Sequence, residues 1–270
     1  MNPLPWHILT LPHVSQIVGI LLVFFGGLWL VHGRVGNASL ADLGFCLGFG
    51  FVVLVCGLEG EGSPWRRILV VGMGGAYASR LGWHLWRSRI WRKTEDPRYR
   101  TLRAVLGPWE SIGFLGYFLL QVPACFFFGS LLCWIMTHPH SAVRGWDLLG
   151  LGIFLLAFFG EALADIQLER FRSDPRNQGK VLQSGLWRYS RHPNYFFEIV
   201  QWCAYLPLAV GLPEAWLATV WPLVMMSSLL WVTGVPLAEG QAMVSRGKAY
   251  RLYQQTTNRL FPWVPRRNRS

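Results

Sequence analysis

A chain of 270 residues that is 52% hydrophobic and only 14% charged cannot supply the surface of an ordinary soluble domain, in which about a quarter of the residues are charged. Its formal charge of +11 follows a membrane topology set out below, so it carries no implication of nucleic-acid binding.

A membrane helix needs about 20 mostly apolar residues, and seven stretches meet or approach that length. The first runs from about Val14 to Val31 and the second from about Leu40 to Leu58, uncharged after Asp42. The third, about Ile68 to Trp86, holds Arg80. The fourth spans about Ile112 to Met136, and the fifth, about Leu148 to Ala164, holds Glu161. The sixth, Ile199 to Leu212, is short unless it takes in part of the polar run before it. The seventh runs from about Trp216 to Leu237.

Lys and Arg collect on the cytoplasmic side. Arg34 follows the first stretch. Arg87, Arg89, Arg92, Lys93, Arg98, Arg100 and Arg103 lie between the third and fourth. Arg170, Arg172, Arg176, Lys180, Arg188 and Arg191 lie between the fifth and sixth, and a further basic group runs from Arg246 to Arg269. The opposite side has only Arg66, Arg67 and Arg144. The expectation is an all-α polytopic membrane protein with about seven transmembrane helices, N-terminus out and C-terminus cytoplasmic, forming a single integral membrane domain over 1–270. No Lys or Arg precedes the first apolar run, so a secretory signal is not expected. The same charge rule serves a bacterial inner membrane and the endoplasmic reticulum, and the former is favoured. The five Cys (46, 56, 125, 133 and 203) lie in or near apolar spans without a C-x-x-C and read as small buried hydrophobes. His138 and His140 form an H-x-H around Pro139, which is poor evidence for a metal, and no metal is expected. The glycines of "VGMGGAY" (71 to 77) lie inside a span without a strand-turn-helix context, and suit close helix packing instead of a nucleotide loop.

Three polar segments stand out, at 86 to 103, 164 to 198 and 239 to 267. A solvated loop accounts for the first as well as a site does. The second mixes Asp165, Glu169, Asp174, Asn177, Asn194 and Glu198 with Trp187, Tyr189 and Tyr195. A pocket for a charged, planar ligand needs that mixture: bases for phosphate, carboxylates and amides for ribose and base edges, aromatic faces for stacking. Gly185 and Pro193 bracket "GLWRYSRHPNYFFE" (185 to 198). A helix starting at Pro193, after Arg191 and His192, puts that Pro in a favoured first-turn position and sets Asn194 and Glu198 on one face. Glu198 then enters the bilayer, where a carboxylate is costly without a partner. In the third segment Tyr250 and Tyr253 share a helical face, and Pro262 and Pro265 end regular structure.

The residues "ADIQLERFR", "NQGK" and "GLWRYSRHPNYFFEIVQW" resemble the steroid 5-alpha-reductase superfamily, which includes the delta-14 sterol reductases, and within it the bacterial-type branch of membrane proteins. The likeness is good over roughly 160 to 265 and thinner before residue 60. It implies a membrane reductase that takes hydride from NADPH and adds it to a conjugated C=C bond of a lipid or steroid-like enone, with that hydrophobic substrate and membrane lipid as partners. Carried over, Asp165 and Arg172 match cofactor-contacting positions, and Asn194 and Glu198 match the pair near the nicotinamide carboxamide. The cofactor-binding half is then about 160–265. Charge and position add Lys180, Arg188 and Arg191 for the phosphates. Asn177, Trp187, His192, Tyr189, Tyr195, Tyr250 and Tyr253 complete the candidate cofactor set.

"AYASRLGWHLWRSR" resembles the family's Tyr-x-x-Arg region, in which a Tyr donates a proton as hydride arrives. Tyr77 occupies that position, with Arg80 one turn later, so Tyr77 and Glu198 are the catalytic candidates. A hydroxyl near the developing oxyanion stabilises or protonates it. An ordinary buried Tyr, and an ion pair of Arg80 with Glu161 or Asp165, stay open as alternatives. Two departures stand out. The family's second-span Glu is absent, since no carboxylate follows Asp42 until Glu59 and Glu61, and Phe197 stands where the family usually has Gly. Two other functions remain open: an S-adenosylmethionine-dependent membrane methyltransferase of the isoprenylcysteine or phospholipid type, which shares an RHPxY element and a basic tail, and a non-catalytic lipid- or sterol-binding membrane protein.

Overall fold

The computed structural model describes residues 13–91, 95–138, 140 and 142–266. Arg92, Lys93, Pro139, Arg267 and Arg269 lie outside the described residues. All regular structure among the described residues is helical. Five helical segments are long and apolar enough to cross a membrane: Val14–Val35, Leu40–Glu59, Arg98–Met136, Gly145–Ser173 and Ala215–Thr256. Helix Pro64–Leu85 has the length, but it carries Arg66, Arg67 and Arg80. The region of the expected sixth span is a helix of 11 residues, Pro193–Cys203, and a short second helix, Tyr205–Ala209.

The chain packs as two compact units, Met1–Gly145 with Ala209–Leu217, and Trp146–Leu208 with Ala218–Ser270. In the first are α1 (Val14–Val35), α2 (Leu40–Glu59), α3 (Pro64–Leu85), α4 (Pro97–Leu106), α5 (Glu110–Leu119) and α6 (Gln121–Met136). Its core forms where α2 meets α3 and α6. Phe49, Val52 and Val53 are buried there with Val70, Met73, Leu131 and Leu132. Of the glycines in 71 to 77, Gly74 supports the close approach: a Cβ on it would lie 2.7 Å from Leu132 Cδ2. Cys46, Cys56, Cys125 and Cys133 are in no disulfide and are buried among these apolar side chains, as small hydrophobes are.

The polar segment 86 to 103 is folded onto this unit. Asp42, at the start of α2, accepts from Tyr99 Oη (2.7 Å), Tyr117 Oη (3.2 Å), Arg89 Nη1 (2.9 Å) and Arg98 Nη2 (3.2 Å). Asp96 caps α4 by accepting from the Arg98 N–H at 2.9 Å. Glu95 accepts from the Ala38 N–H (2.8 Å) and from Arg103 Nε and Nη2 (both 2.9 Å), and Arg103 also pairs with Glu110. Burial alone would raise the Glu95 carboxyl, but the Arg103 hydrogen bonds outweigh it and hold it below its usual value. Each of these carboxylates has charge-assisted donors, so the described residues of the segment are bonded structure and not a solvated loop.

At the other end of the unit, His138 is 1% exposed. Its Nε2 lies 2.8 Å from Arg144 Nη1 and 3.2 Å from the Val210 carbonyl, and Arg144 donates to that same carbonyl at 2.6 Å. Burial, then the nearby Arg144 and Arg66 charges, push its pKa down from 6.5 to about 4. The folded protein therefore keeps this ring neutral. Its contribution to stability is complete above pH 6.5 and is lost as pH falls from 6.5 to about 4. That contribution amounts to at most about 3 kcal/mol. The thermal midpoint in detergent micelles is expected to drop across this window, and His138→Gln to flatten the drop. A midpoint that is level from pH 6.5 to 4 in the unsubstituted chain would contradict this account.

In the second unit are α7 (Gly145–Ser173), α8 (Pro193–Cys203), α9 (Tyr205–Ala209), α10 (Val220–Ser227) and α11 (Val235–Thr256). α7 has 29 residues, about 43 Å at 1.5 Å per residue. That exceeds the roughly 30 Å hydrocarbon layer, so the helix is long enough to cross it with several polar C-terminal turns to spare. Its apolar part leaves large side chains uncovered, Leu156 and Phe159 being 69% and 64% exposed. α11 changes direction at Gly247, whose φ of +47° and ψ of −114° interrupt the helix.

Candidate functional site

The stretch 185 to 198 is a bonded junction before it is anything else. Gly185 has a φ of +60°, and a Cβ there would lie 2.6 Å from the Gln167 amide. That close approach lets the Leu186 N–H donate to Gln167 Oε1 at 3.0 Å. Trp187, buried, donates its indole N–H to the Ala164 carbonyl of α7 at 3.0 Å. Pro193 then opens α8 at the first turn, as its fixed φ allows.

The C-terminal segment grips this junction from the other side. Tyr253, 2% exposed, donates to the Trp187 carbonyl and lies 3.1 Å from that of Ser190. Ser190 Oγ donates to the Leu260 carbonyl at 2.6 Å and accepts from the His192 N–H at 3.1 Å. The Trp263 N–H donates to the Tyr189 carbonyl at 2.9 Å. Glu239 of α11 is the centre of the clasp. Its Oε1 meets Arg191 Nε at 2.7 Å and His192 Nε2 at 3.2 Å, and its Oε2 accepts from Gln254 at 2.8 Å. Arg191 also donates to the Gln254 and Thr257 carbonyls at 3.1 and 2.7 Å. His192 lies flat against Tyr195, ring centres 5.2 Å apart and planes at 3°. Burial, against the opposing pull of Glu239, holds His192 below its usual pKa.

The candidate residues therefore divide. Trp187, Arg191, His192, Tyr250 and Tyr253 are drawn together, and their polar atoms serve the protein's own backbone and Glu239. Tyr250 and Tyr253 do share one face of α11, ring centres 5.8 Å apart, and both are buried. Asn177 donates to the Phe171 carbonyl at 3.1 Å, closing the end of α7. Lys180 and Arg172 are exposed. So are Arg188 and Tyr189, the guanidinium lying 5.9 Å from the ring centre. These four present charge and an aromatic face to solvent. Tyr77 belongs to the first unit, where it is 3% exposed and packs edge-on to Phe49 with ring centres 5.7 Å apart.

A different group of side chains faces inward between α7 and α8. Asp165 is 8% exposed, and Asn194 Nδ2 donates to its Oδ1 at 3.3 Å. Asn194 Oδ1 is buried and has no partner among the described residues. The two helices run antiparallel, since Asp165 meets Asn194, Gly160 meets Phe197 and Phe154 meets Tyr205. Asn194, Glu198 and Gln201 fall at i, i+4 and i+7, so they share a stripe on α8. Gln201 is 1% exposed, and neither its oxygen nor its nitrogen has a partner among the described residues. Sequence reasoning passed it over because it sits in an apolar run; its spacing from Asn194 was the available signal.

Phe197, the departure from the family pattern, has a counterpart on α7. A Cβ on Gly160 would lie 2.5 Å from its ring, so the ring occupies the space a side chain at 160 would need. Beside it Leu155, Leu156, Phe159, Gly160 and Leu163 of α7, with Leu186 and Phe197, line a shallow apolar groove of about 370 Å³.

Comparison with known proteins gives two findings. A family model described as "Protein of unknown function (DUF1295)" matches residues 28–257. An uncharacterised protein of Schizosaccharomyces pombe is 25% identical over 285 residues, covering 91% of this chain and 79% of that protein.

Proposed function

The chain belongs to the DUF1295 family, and from that premise we propose that it is a membrane-embedded, NADPH-dependent reductase of a conjugated C=C bond in a lipid or steroid-like enone. The observation that carries this reading is the buried polar group at the start of α8. Asn194 uses its N–H on Asp165 and leaves its oxygen unpaired among the described residues, beside Glu198 one turn on. An unpaired buried amide oxygen costs about 1–3 kcal/mol. A carboxamide N–H of a nicotinamide is a donor of the right kind to recover it.

The residues fit such a cofactor. Asn194, Asp165 and Glu198 would hold the nicotinamide end, and the exposed Arg172, Lys180 and Arg188 would meet the phosphates. When bound, NADPH supplies hydride to one carbon of the alkene. The other carbon needs a proton, for which Tyr77 is the proposed donor. The clasp around Glu239 keeps the start of α8 in place. In this reading α3 and the α8–α9 pair also cross the membrane, giving seven crossings with the N-terminus out and the C-terminus in the cytoplasm, in a bacterial inner membrane.

Titration of the purified chain in detergent micelles tests the reading. NADPH is expected to raise the thermal midpoint, and S-adenosylmethionine is not. The reverse would replace the reductase with a methyltransferase. Asn194→Ala and Glu198→Ala are each expected to weaken NADPH binding about tenfold, the worth of one good hydrogen bond to a ligand. Tyr77→Phe is expected to lower turnover and leave NADPH affinity unchanged. NADPH bound without consumption of any enone lipid would favour a binding protein.

A further inference from the structure

The strap that follows α11, residues 257–266, has two faces. Its inner face serves the junction. The Asn258 carbonyl accepts from the Arg191 N–H at 2.9 Å, and the Trp263 and Arg266 N–H groups donate to the Tyr189 and Thr256 carbonyls at 2.9 and 2.8 Å. Thr257 and Leu260 are buried with these bonds. Its outer face carries Arg259, Phe261, Trp263, Val264 and Arg266, all exposed. Phe261, Trp263 and Val264 are 65%, 70% and 71% exposed, a dense apolar surface for one strap to leave uncovered.

One bond fixes where that face lies. Arg259 Nη2 donates to the Leu230 carbonyl at 2.8 Å. Leu230 belongs to Ser228–Val232, the helical turn that continues α10, and the helix breaks after it at Gly234 (φ −96°, ψ −92°). The guanidinium thus satisfies a carbonyl of a helix end. The helical segment that holds this turn is apolar and long enough to cross a membrane, and Trp231 and Val232 beside Leu230 are exposed. The strap is therefore held beside the end of an apolar run, where Trp and basic side chains favour the headgroup layer.

Charge narrows the occupant. After Glu239 the chain holds seven Lys and Arg and no Asp or Glu, and Glu239 itself is taken by Arg191. A second copy would bring the same positive face against this one. A soluble anion would leave Phe261, Trp263 and Val264 uncovered. An anionic bilayer surface meets both needs, phosphates for the guanidinium groups and the acyl boundary for the rings.

We propose that residues 257–266 are a docking surface for the headgroup layer of an anionic phospholipid bilayer, with Arg259 and Arg266 on phosphates and Phe261, Trp263 and Val264 in the acyl boundary. Because the inner face is bonded to Tyr189, Ser190 and Arg191, headgroup charge then steadies the start of α8. The proposal does not rest on the reductase reading.

The test places the full chain in nanodiscs of phosphatidylcholine, with or without phosphatidylglycerol. A polarity-sensitive dye is attached to Val264→Cys in a Cys203→Ser background, the other four cysteines being buried. Phosphatidylglycerol is expected to shift the dye emission to the blue and to raise the thermal midpoint, both effects shrinking at high salt. Arg266→Gln is expected to weaken the apparent affinity for phosphatidylglycerol about fivefold, and Arg259→Gln with Arg266→Gln about twentyfold. Arg266→Gln removes only an exposed charge, so it keeps the test open if the change at Arg259 disturbs folding. Equal dye shifts in the unsubstituted and both substituted chains would overturn the proposal. So would a dye shift produced by free inorganic phosphate, or one that tracks dimer formation in phosphatidylcholine alone.

Discussion

Glu239→Ala is expected to release the C-terminal segment from the start of α8 and to cost about 3 kcal/mol, the range for removing one partner of a largely buried ion pair. Arg191 and Glu239 have side chains 10% and 16% exposed, so solvent recovers little of the lost interaction. The Ala variant strips the acceptor from Arg191 Nε, His192 Nε2 and Gln254 Nε2 at once. Arg191 is also the donor to the Gln254 and Thr257 carbonyls, so its loosening spreads into the tail. Glu239→Gln keeps an oxygen at the same place and removes only the charge, and about half the loss is expected. Thermal unfolding in micelles measures the order: unsubstituted, Gln, Ala. Limited proteolysis gives a second reading, with cleavage after residue 256 appearing first in the Ala variant. Equal midpoints for all three proteins would show that the ion pair contributes nothing and that the Ser190 and Tyr253 hydrogen bonds hold the junction alone.

The apolar part of this architecture was legible because its causes are local. Long apolar runs become α1 and α2 almost to their ends and the apolar part of α7, which continues nine residues past Ala164, and Pro193 opens α8 because its missing N–H and fixed φ suit a first turn. The buried junction was not legible, because its causes are far apart in sequence. Nothing near Arg191 announces that Glu239 will take its charge. A basic residue next to a His-Pro reads equally well as a phosphate ligand or as half of an ion pair. The same holds for segment 86 to 103, which looked like positive-inside charge. Asp42 and Glu95 convert it into bonded structure. Glu198 stood out in the sequence because a carboxylate entering an apolar run is expensive, whereas Asp165 and Asn194 were singled out by the resemblance, Asn194 also by sharing a helix face with Glu198. Gln201 carries the same expense without a charge to draw notice.

The pairing of Gly160 with Phe197 gives the second large effect. Gly160→Leu is expected to destabilise the protein by about 2–4 kcal/mol, since the Cβ alone would lie 2.5 Å from the Phe197 ring and overpacking of a filled site costs about 1–3 kcal/mol before rotamer strain is added. Phe197→Gly, which restores the residue usual in the resembled family, is expected to cost about 3 kcal/mol by leaving the ring's space empty and by adding a helix-interior glycine. The double variant is the informative one. If the ring and the missing Cβ are complementary, the Leu side chain refills the space that the ring vacates, and the double variant is more stable than the sum of the single losses by about 2 kcal/mol, within the range for touching residues. Strict additivity would mean that the ring has room to turn away from α7, and Phe197 would then not be a fixed wall of the groove. The groove supplies an independent readout. Its volume of about 370 Å³ has Gly160 and Phe197 in its lining, so Gly160→Leu narrows it whatever happens to stability. A loss of enone binding in Gly160→Leu, with NADPH affinity retained, would tie the hydrocarbon body of the substrate to this groove and not to a surface on another part of the chain.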